Sequence, residues 1–107
     1  MNKETKLMND IREAVSKKYD ITLWRNNTGV DTTKGVRYGL GQGGADLVGV
    51  LGPYGRMVAL EVKTFNGKLS HAQSCWLESV RKKGGIAAVV RSVEDAFRVL
   101  DEATCRF

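Results

Sequence analysis

The sequence holds only two cysteines, Cys75 and Cys105, and one histidine, His71. No CxxC pair occurs, which excludes a zinc knuckle of ordinary spacing and gives no disulfide framework. A cytoplasmic, reducing setting is therefore the expectation. No apolar run approaches the ~20 residues that a membrane helix needs. Met1-Asn2-Lys3-Glu4 leads into polar helical sequence and does not read as a secretory leader. Repeats, low-complexity tracts and interdomain linkers are missing too. What is there suits one domain over residues 1–107: 42% hydrophobic and 27% charged side chains, enough for a lean core that an oligomer would supplement. Seventeen Lys and Arg face twelve Asp and Glu, a net charge of +5. That excess points to a polyanionic partner, with nucleic acid the commonest.

Periodicity orders the chain. Leu7, Met8, Ile11, Ala14 and Val15 make the stripe of an amphipathic helix over residues 3–18. Ile21-Thr22-Leu23-Trp24 reads as a short strand, with Trp24 expected in the core. Residues 26–44, rich in Asn, Thr and Gly, read as a long loop or irregular hairpin, a length that usually carries function. Two apolar β-rich runs, 46–51 and 57–63, flank Gly52-Pro53-Tyr54-Gly55 and predict a β-hairpin. Ser70-His71-Ala72-Gln73 opens a helix as a capping box. Ala72, Cys75, Trp76, Ser79 and Val80 are its expected inner stripe, and Gly84-Gly85 end it. Ile86 to Val90 is a strand expected to be buried on both faces. Ser92 caps a last helix that packs through Val93, Ala96, Phe97 and Leu100. The order αβββαβα predicts an α/β fold with a mixed central sheet covered by helices on both sides.

The hairpin carries the chemistry. With residues 52–55 as its loop, Leu51 pairs with Arg56 and Asp46 falls opposite Glu61. Facing residues in an antiparallel pair share one side of the sheet, with Cβ atoms ~5 Å apart. Two carboxylates that close repel unless a cation lies between them or one is protonated. The two-residue period adds Lys63 to the same side and turns Val58, Leu60 and Val62 the other way. Two acids and an ammonium group suit phosphodiester hydrolysis with Mg²⁺ or Mn²⁺, which take oxygen ligands. The alternative is a cross-strand salt bridge on a solvated face.

Other residues divide similarly. Glu4 lies on the Met8–Ile11–Val15 stripe and Glu13 does not, so Glu4 is either a further metal or water ligand or a helix-start acid favoured by the macrodipole. Gln73 is explained by its capping box, yet the helix start falls near the end of the Lys63 strand. His71 reads as polar surface. Arg25, Lys34, Arg37 and Lys68 are candidate phosphate contacts or solvated charges. Gly39-Leu40-Gly41-Gln42-Gly43-Gly44 satisfies GxGxxG literally, but a strand follows it where a dinucleotide site needs a helix.

Gly44-Ala45-Asp46, then Glu61-Val62-Lys63 after fourteen intervening residues, resembles the PD-(D/E)xK nuclease signature. More narrowly, Trp24-Arg25-Asn26-Asn27-Thr28-Gly29, the Gly-rich run to Asp46, Lys68-Leu69-Ser70-His71-Ala72-Gln73, and Gly84-Gly85 through Val90-Arg91-Ser92 resemble the stand-alone VRR-NUC proteins, common in phages and prophages. The resemblance spans nearly the whole chain and implies a restriction-endonuclease-like core. It implies metal ligation by Asp46, Glu61 and the Val62 carbonyl, catalysis by Lys63, and roles for Glu4 and Gln73 as the helix acid and the glutamine after the signature. Ala45 departs from the proline of the superfamily's name, which supplies no ligand. Minimal relatives resemble Holliday-junction resolvases, so the resemblance further implies a homodimer acting on branched or four-way-junction DNA inside a bacterial host. A non-catalytic nucleic-acid-binding module, or a restriction-like or RNA-directed nuclease, would use the same fold.

Overall fold

A computed structural model describes residues 1–105. The chain runs α1 (Lys3–Lys18), β1 (Ile21–Arg25), β2 (Gly29–Asp31), β3 (Val36–Tyr38), β4 (Leu47–Leu51), β5 (Arg56–Val62), α2 (His71–Lys82), β6 (Ile86–Val90) and α3 (Val93–Thr104). Each helix starts where a side chain satisfies an otherwise orphaned N–H: Asn2 accepts from Thr5, Ser70 from Gln73, and Ser92 from Asp95. Among the described residues no helix is long and apolar enough to cross a membrane.

The central sheet has the order β1-β4-β5-β6, antiparallel except for the parallel β5–β6 pair that α2 connects. It is the mixed sheet expected, with helices on both faces. On one face α1 and α3 bring Met8, Ile11, Val15, Ala96 and Leu100 against Val58, Leu60 and Val62. On the other, Leu77 of α2 packs with Ala45, Ala59 and Ala87, small residues that let the helix sit close. The β4–β5 register runs from Leu51↔Arg56 to Leu47↔Leu60, as the turn chemistry requires.

Three expectations need correction. Residues 26–44 are not one irregular loop: β2 and β3 form a separate two-stranded hairpin within them. Trp24 is 52% exposed, not core. Leu23 takes the buried position in β1, alternation turns Trp24 outward opposite Val48, and α2 packs on β5 and β6 rather than that far across the sheet. In α2 the buried residue is Leu77, with Trp76 and Val80 packed on its cluster and Ala72 half-buried, while Cys75 and Ser79 are exposed. The true stripe is rotated toward the one large aliphatic side chain available on that surface.

Candidate functional site

Strand pairing ends just before Asp46, and its side chain continues the ladder. Asp46 Oδ2 accepts from the Val62 N–H at 2.9 Å, while its carbonyl accepts from the Asn26 N–H at 2.8 Å. The carboxylate is thereby fixed beside β5, near the position opposite Glu61 that the register predicts. Glu61 lies one residue before Val62, on the side facing α2, and is 2% exposed. It is not on a solvated face: α2 covers it, which removes the simple surface salt bridge as an explanation.

The two Glu61 oxygens differ. Oε2 accepts from Gln73 Nε2 at 3.1 Å and lies 3.5 Å from the Lys63 ammonium. Oε1 is buried with no hydrogen-bond partner. A buried acceptor left unmatched is costly, and native structures seldom keep one without a reason. Burial raises the Glu61 pKa from an ordinary 4.5 to about 7; the Asp46 charge adds to the rise, and Lys63 opposes it. The site thus holds a carboxyl group that is poorly stabilised as an anion until more positive charge arrives.

Gln73 unites the two roles that the sequence left open. Its Oε1 accepts from the Ser70 N–H at 2.9 Å, completing the capping box, and its Nε2 reaches Glu61. The helix cap therefore orients the acid. The Gly-rich segment is pinned against this start: a Cβ at Gly43 would stand 2.5 Å from the Ala72 backbone, and its φ is +83°. Trp76 Nε1 donates to the Leu40 carbonyl at 3.0 Å. Asn26 Nδ2 donates to the Ala45 carbonyl, and Asn26 Oδ1 accepts from the Leu40 N–H. Ala45, fully buried, needs no ring to hold the approach to Asp46. The GxGxxG run accordingly serves as a close-packed connection into β4, not as a dinucleotide loop.

An open polar pocket of about 530 Å³ lies over this arrangement, lined by Arg25, Asn26, Asn27, Thr28, Tyr38, Gly43, Gly44, Asp46 and Gln73. The structure thus brings together Asp46, Glu61, Lys63, Gln73 and Arg25. Lys34 stands exposed in the turn between β2 and β3, Arg37 exposed on β3, and Lys68 exposed ahead of α2. Glu4 is not gathered with them. It is exposed on the first turn of α1, and among the described residues no third His, Cys, Asp or Glu joins Asp46 and Glu61 as a metal-holding group. The reason is the layer: the α1 stripe packs on the Val58–Leu60–Val62 face, and Glu61 points to the other. Asn26 was not singled out by sequence reasoning, although its place directly after a strand and before a Gly-rich segment was visible. His71 sits 3.4 Å from Cys75 on the exposed side of α2 and takes no part.

No curated protein matches the chain. The profile of the VRR-NUC domain matches residues 2–94, which include all the elements of the site and the entire central sheet. With most of its 107 residues so matched, and with a restriction-endonuclease-like mixed sheet between helices, the chain belongs to the VRR-NUC domain family, a nuclease-type family.

Proposed function

We propose that this protein is a metal-dependent endonuclease that hydrolyses phosphodiester bonds in DNA, with Asp46, Glu61 and Lys63 at its centre. One observation carries the reading: the buried Glu61 Oε1 without a partner, beside Asp46 and Lys63. A cation site fits that oxygen, because two carboxylates with water and substrate oxygens suffice for Mg²⁺ or Mn²⁺. Asp46 and Glu61 would hold the ion, with the Val62 carbonyl implied by family resemblance. When bound, such an ion supplies positive charge against the phosphate and a water of lowered pKa.

The chain's own groups do the rest. Gln73 holds Glu61 Oε2 and leaves Oε1 free to serve as a ligand. Lys63 Nζ donates to a phosphate oxygen or to the attacking water, and its charge offsets what develops on phosphorus. Arg25, in the pocket wall, binds a neighbouring phosphate; Lys34, Arg37 and Lys68 extend a cationic track along the backbone. Resemblance to minimal resolvase-like relatives supports branched DNA as substrate and a homodimer with one site per cut strand.

The test is incubation with a four-way junction, its matched duplex and a matched single strand, in Mg²⁺, Mn²⁺ or EDTA. Cleavage is expected only with metal and preferentially on the junction. Binding without cleavage of any substrate would replace the enzyme by a binding module on the same fold. Cleavage restricted to linear duplex would remove the structure selectivity.

A further inference from the structure

Lys63 leads directly into a tight turn, Thr64-Phe65-Asn66-Gly67, closed by the Gly67 N–H donating to the Thr64 carbonyl at 3.0 Å. Turns at a surface are ordinarily satisfied by water and are mobile. This one is held from outside. The Arg91 guanidinium, arriving from the end of β6, donates through Nη1 to the Thr64 carbonyl at 2.8 Å and the Gly67 carbonyl at 2.7 Å, with the Phe65 carbonyl at 3.4 Å. Arg91 is anchored in turn, its own N–H donating to Asp95 Oδ2 at 2.9 Å in the first turn of α3.

The held turn forms a wall along Lys63. A Cβ at Gly67 would lie 3.2 Å from Lys63 Cδ and 3.3 Å from Lys63 Cβ, so a larger residue here would press on the Lys63 stem and shift it by a few tenths of an ångström. The Lys63 side chain is 14% exposed, although a lysine at a strand end would normally extend into water. Lysine has four rotatable bonds, and holding its ammonium beside Glu61 means removing that freedom. The β5–β6 ladder fixes only its backbone, through Lys63 N–H to the Val90 carbonyl.

We propose that Arg91 is a positioning residue: by clamping turn 64–67 against the Lys63 stem, it holds Nζ at Glu61. The proposal rests on Lys63 acting in phosphodiester hydrolysis, and it assigns Arg91 a role through the turn rather than on the reacting atoms. A turn fixed by bonds to neutral carbonyls does not depend on ionic strength as a surface ion pair does, because salt screens the attraction between net charges.

Two measurements test it on Arg91→Ala, Arg91→Lys and Gly67→Ala, each first checked by circular dichroism for a wild-type fold. In the metal-free, DNA-free protein, acetic anhydride labelling of Lys63 is followed by mass spectrometry relative to Lys6 and Lys17, whose side chains are 71% and 74% exposed. Lys63 labelling should speed up about tenfold in Arg91→Ala and less in Arg91→Lys, with Lys6 and Lys17 unchanged, as expected for loss of burial. Unchanged Lys63 labelling would overturn the clamp. In cleavage assays, kcat should fall about 10–100-fold in Arg91→Ala and in Gly67→Ala, with KM and DNA affinity kept, the usual cost of losing a supporting contact. A raised KM with kcat intact would make Arg91 a DNA contact and overturn the proposal. If the wild type cuts nothing, the nuclease reading fails, while the labelling still decides whether Arg91 holds Lys63. Should Arg91→Ala unfold, Arg91→Lys carries the same comparison, because it keeps the charge and loses the planar guanidinium.

Discussion

Toward α1 and α3, β5 presents Val58, Leu60 and Val62, fully buried among large aliphatic side chains; toward α2 it presents Ala59, Glu61 and, just past its end, Lys63. The first face gains free energy from burial, at roughly 25 cal/mol per Å² of apolar surface. The second buries a carboxyl group with one unmatched oxygen, which costs free energy. One strand thus carries both the interaction that stabilises the sheet and the group that strains it. The difference teaches that the helix on the second face is there to exclude water and to place Gln73, more than to supply a large core: its one buried side chain, Leu77, meets three buried alanines.

The sharpest way to separate the faces is to neutralise the acids. Glu61→Gln and Asp46→Asn should each lower kcat by about 1,000-fold or more, since metal-site chemistry acts as a unit. Metal-free Glu61→Gln should nevertheless melt at the same temperature as the wild type or higher, because a neutral amide is cheaper to bury than a charge. Single-turnover cleavage beside thermal melting checks both. A strongly lowered melting temperature would mean that Glu61 is structural and would break the division.

The opposite face should respond in reverse. Leu60→Ala removes a fully buried side chain and should cost about 2–5 kcal/mol in urea unfolding. At low temperature, where the variant stays folded, kcat should change only a few-fold. A loss of activity as large as that of Glu61→Gln would show that the two faces are mechanically coupled.

A smaller effect comes from pH. Glu61 keeps its proton to about pH 7 in the folded protein but has an ordinary value near 4.5. Between those values the native state binds more protons than the unfolded chain, so stability falls as pH rises through that window, by on the order of 2 kcal/mol. Metal-free protein should therefore be more stable at pH 5 than at pH 7.5 in urea titrations. Saturating Mg²⁺ should flatten the dependence by favouring the carboxylate, and Glu61→Gln should lack this contribution. A flat wild-type profile without metal would mean that Glu61 is already ionised at pH 5.

Much of this was legible because it is local. The α1 stripe, the caps at Ser70 and Ser92, and the Leu51↔Arg56 register follow from periodicity and turn chemistry within a few residues. The register then carries Asp46 and Glu61 together across the hairpin. What escaped depends on partners distant in sequence. Whether Glu61 faced water or a helix was settled by where α2 packs. Trp24 went outward because α2 does not reach it. The bonds of Asn26 to Ala45 and Leu40, of Trp76 to Leu40, and of Arg91 to turn 64–67 join segments whose side chains carry no periodic signal. Polar side-chain to backbone bonds of this kind are specified by tertiary geometry alone.

Glu4 offers the smallest expected effect and the most direct challenge to the division. Helix phase put it on the core-facing stripe, and resemblance made it a site acid. The stripe packs, however, against the aliphatic face of β5, and Glu4 stands exposed at the helix start. There a carboxylate interacts favourably with the N-terminal end of the helix dipole, an effect of about 0.3–1 kcal/mol. Glu4→Gln should accordingly lower the melting temperature slightly and leave kcat within about twofold, a change of under ~0.5 kcal/mol. Glu13→Gln, which removes an exposed ion pair with Lys17, should behave much the same. If Glu4→Gln instead lowered kcat as Glu61→Gln does, with little change in melting, α1 would have to reach the site around the end of the sheet. The acid centre would then draw on both faces, and the aliphatic side would be part of the catalytic apparatus rather than its support.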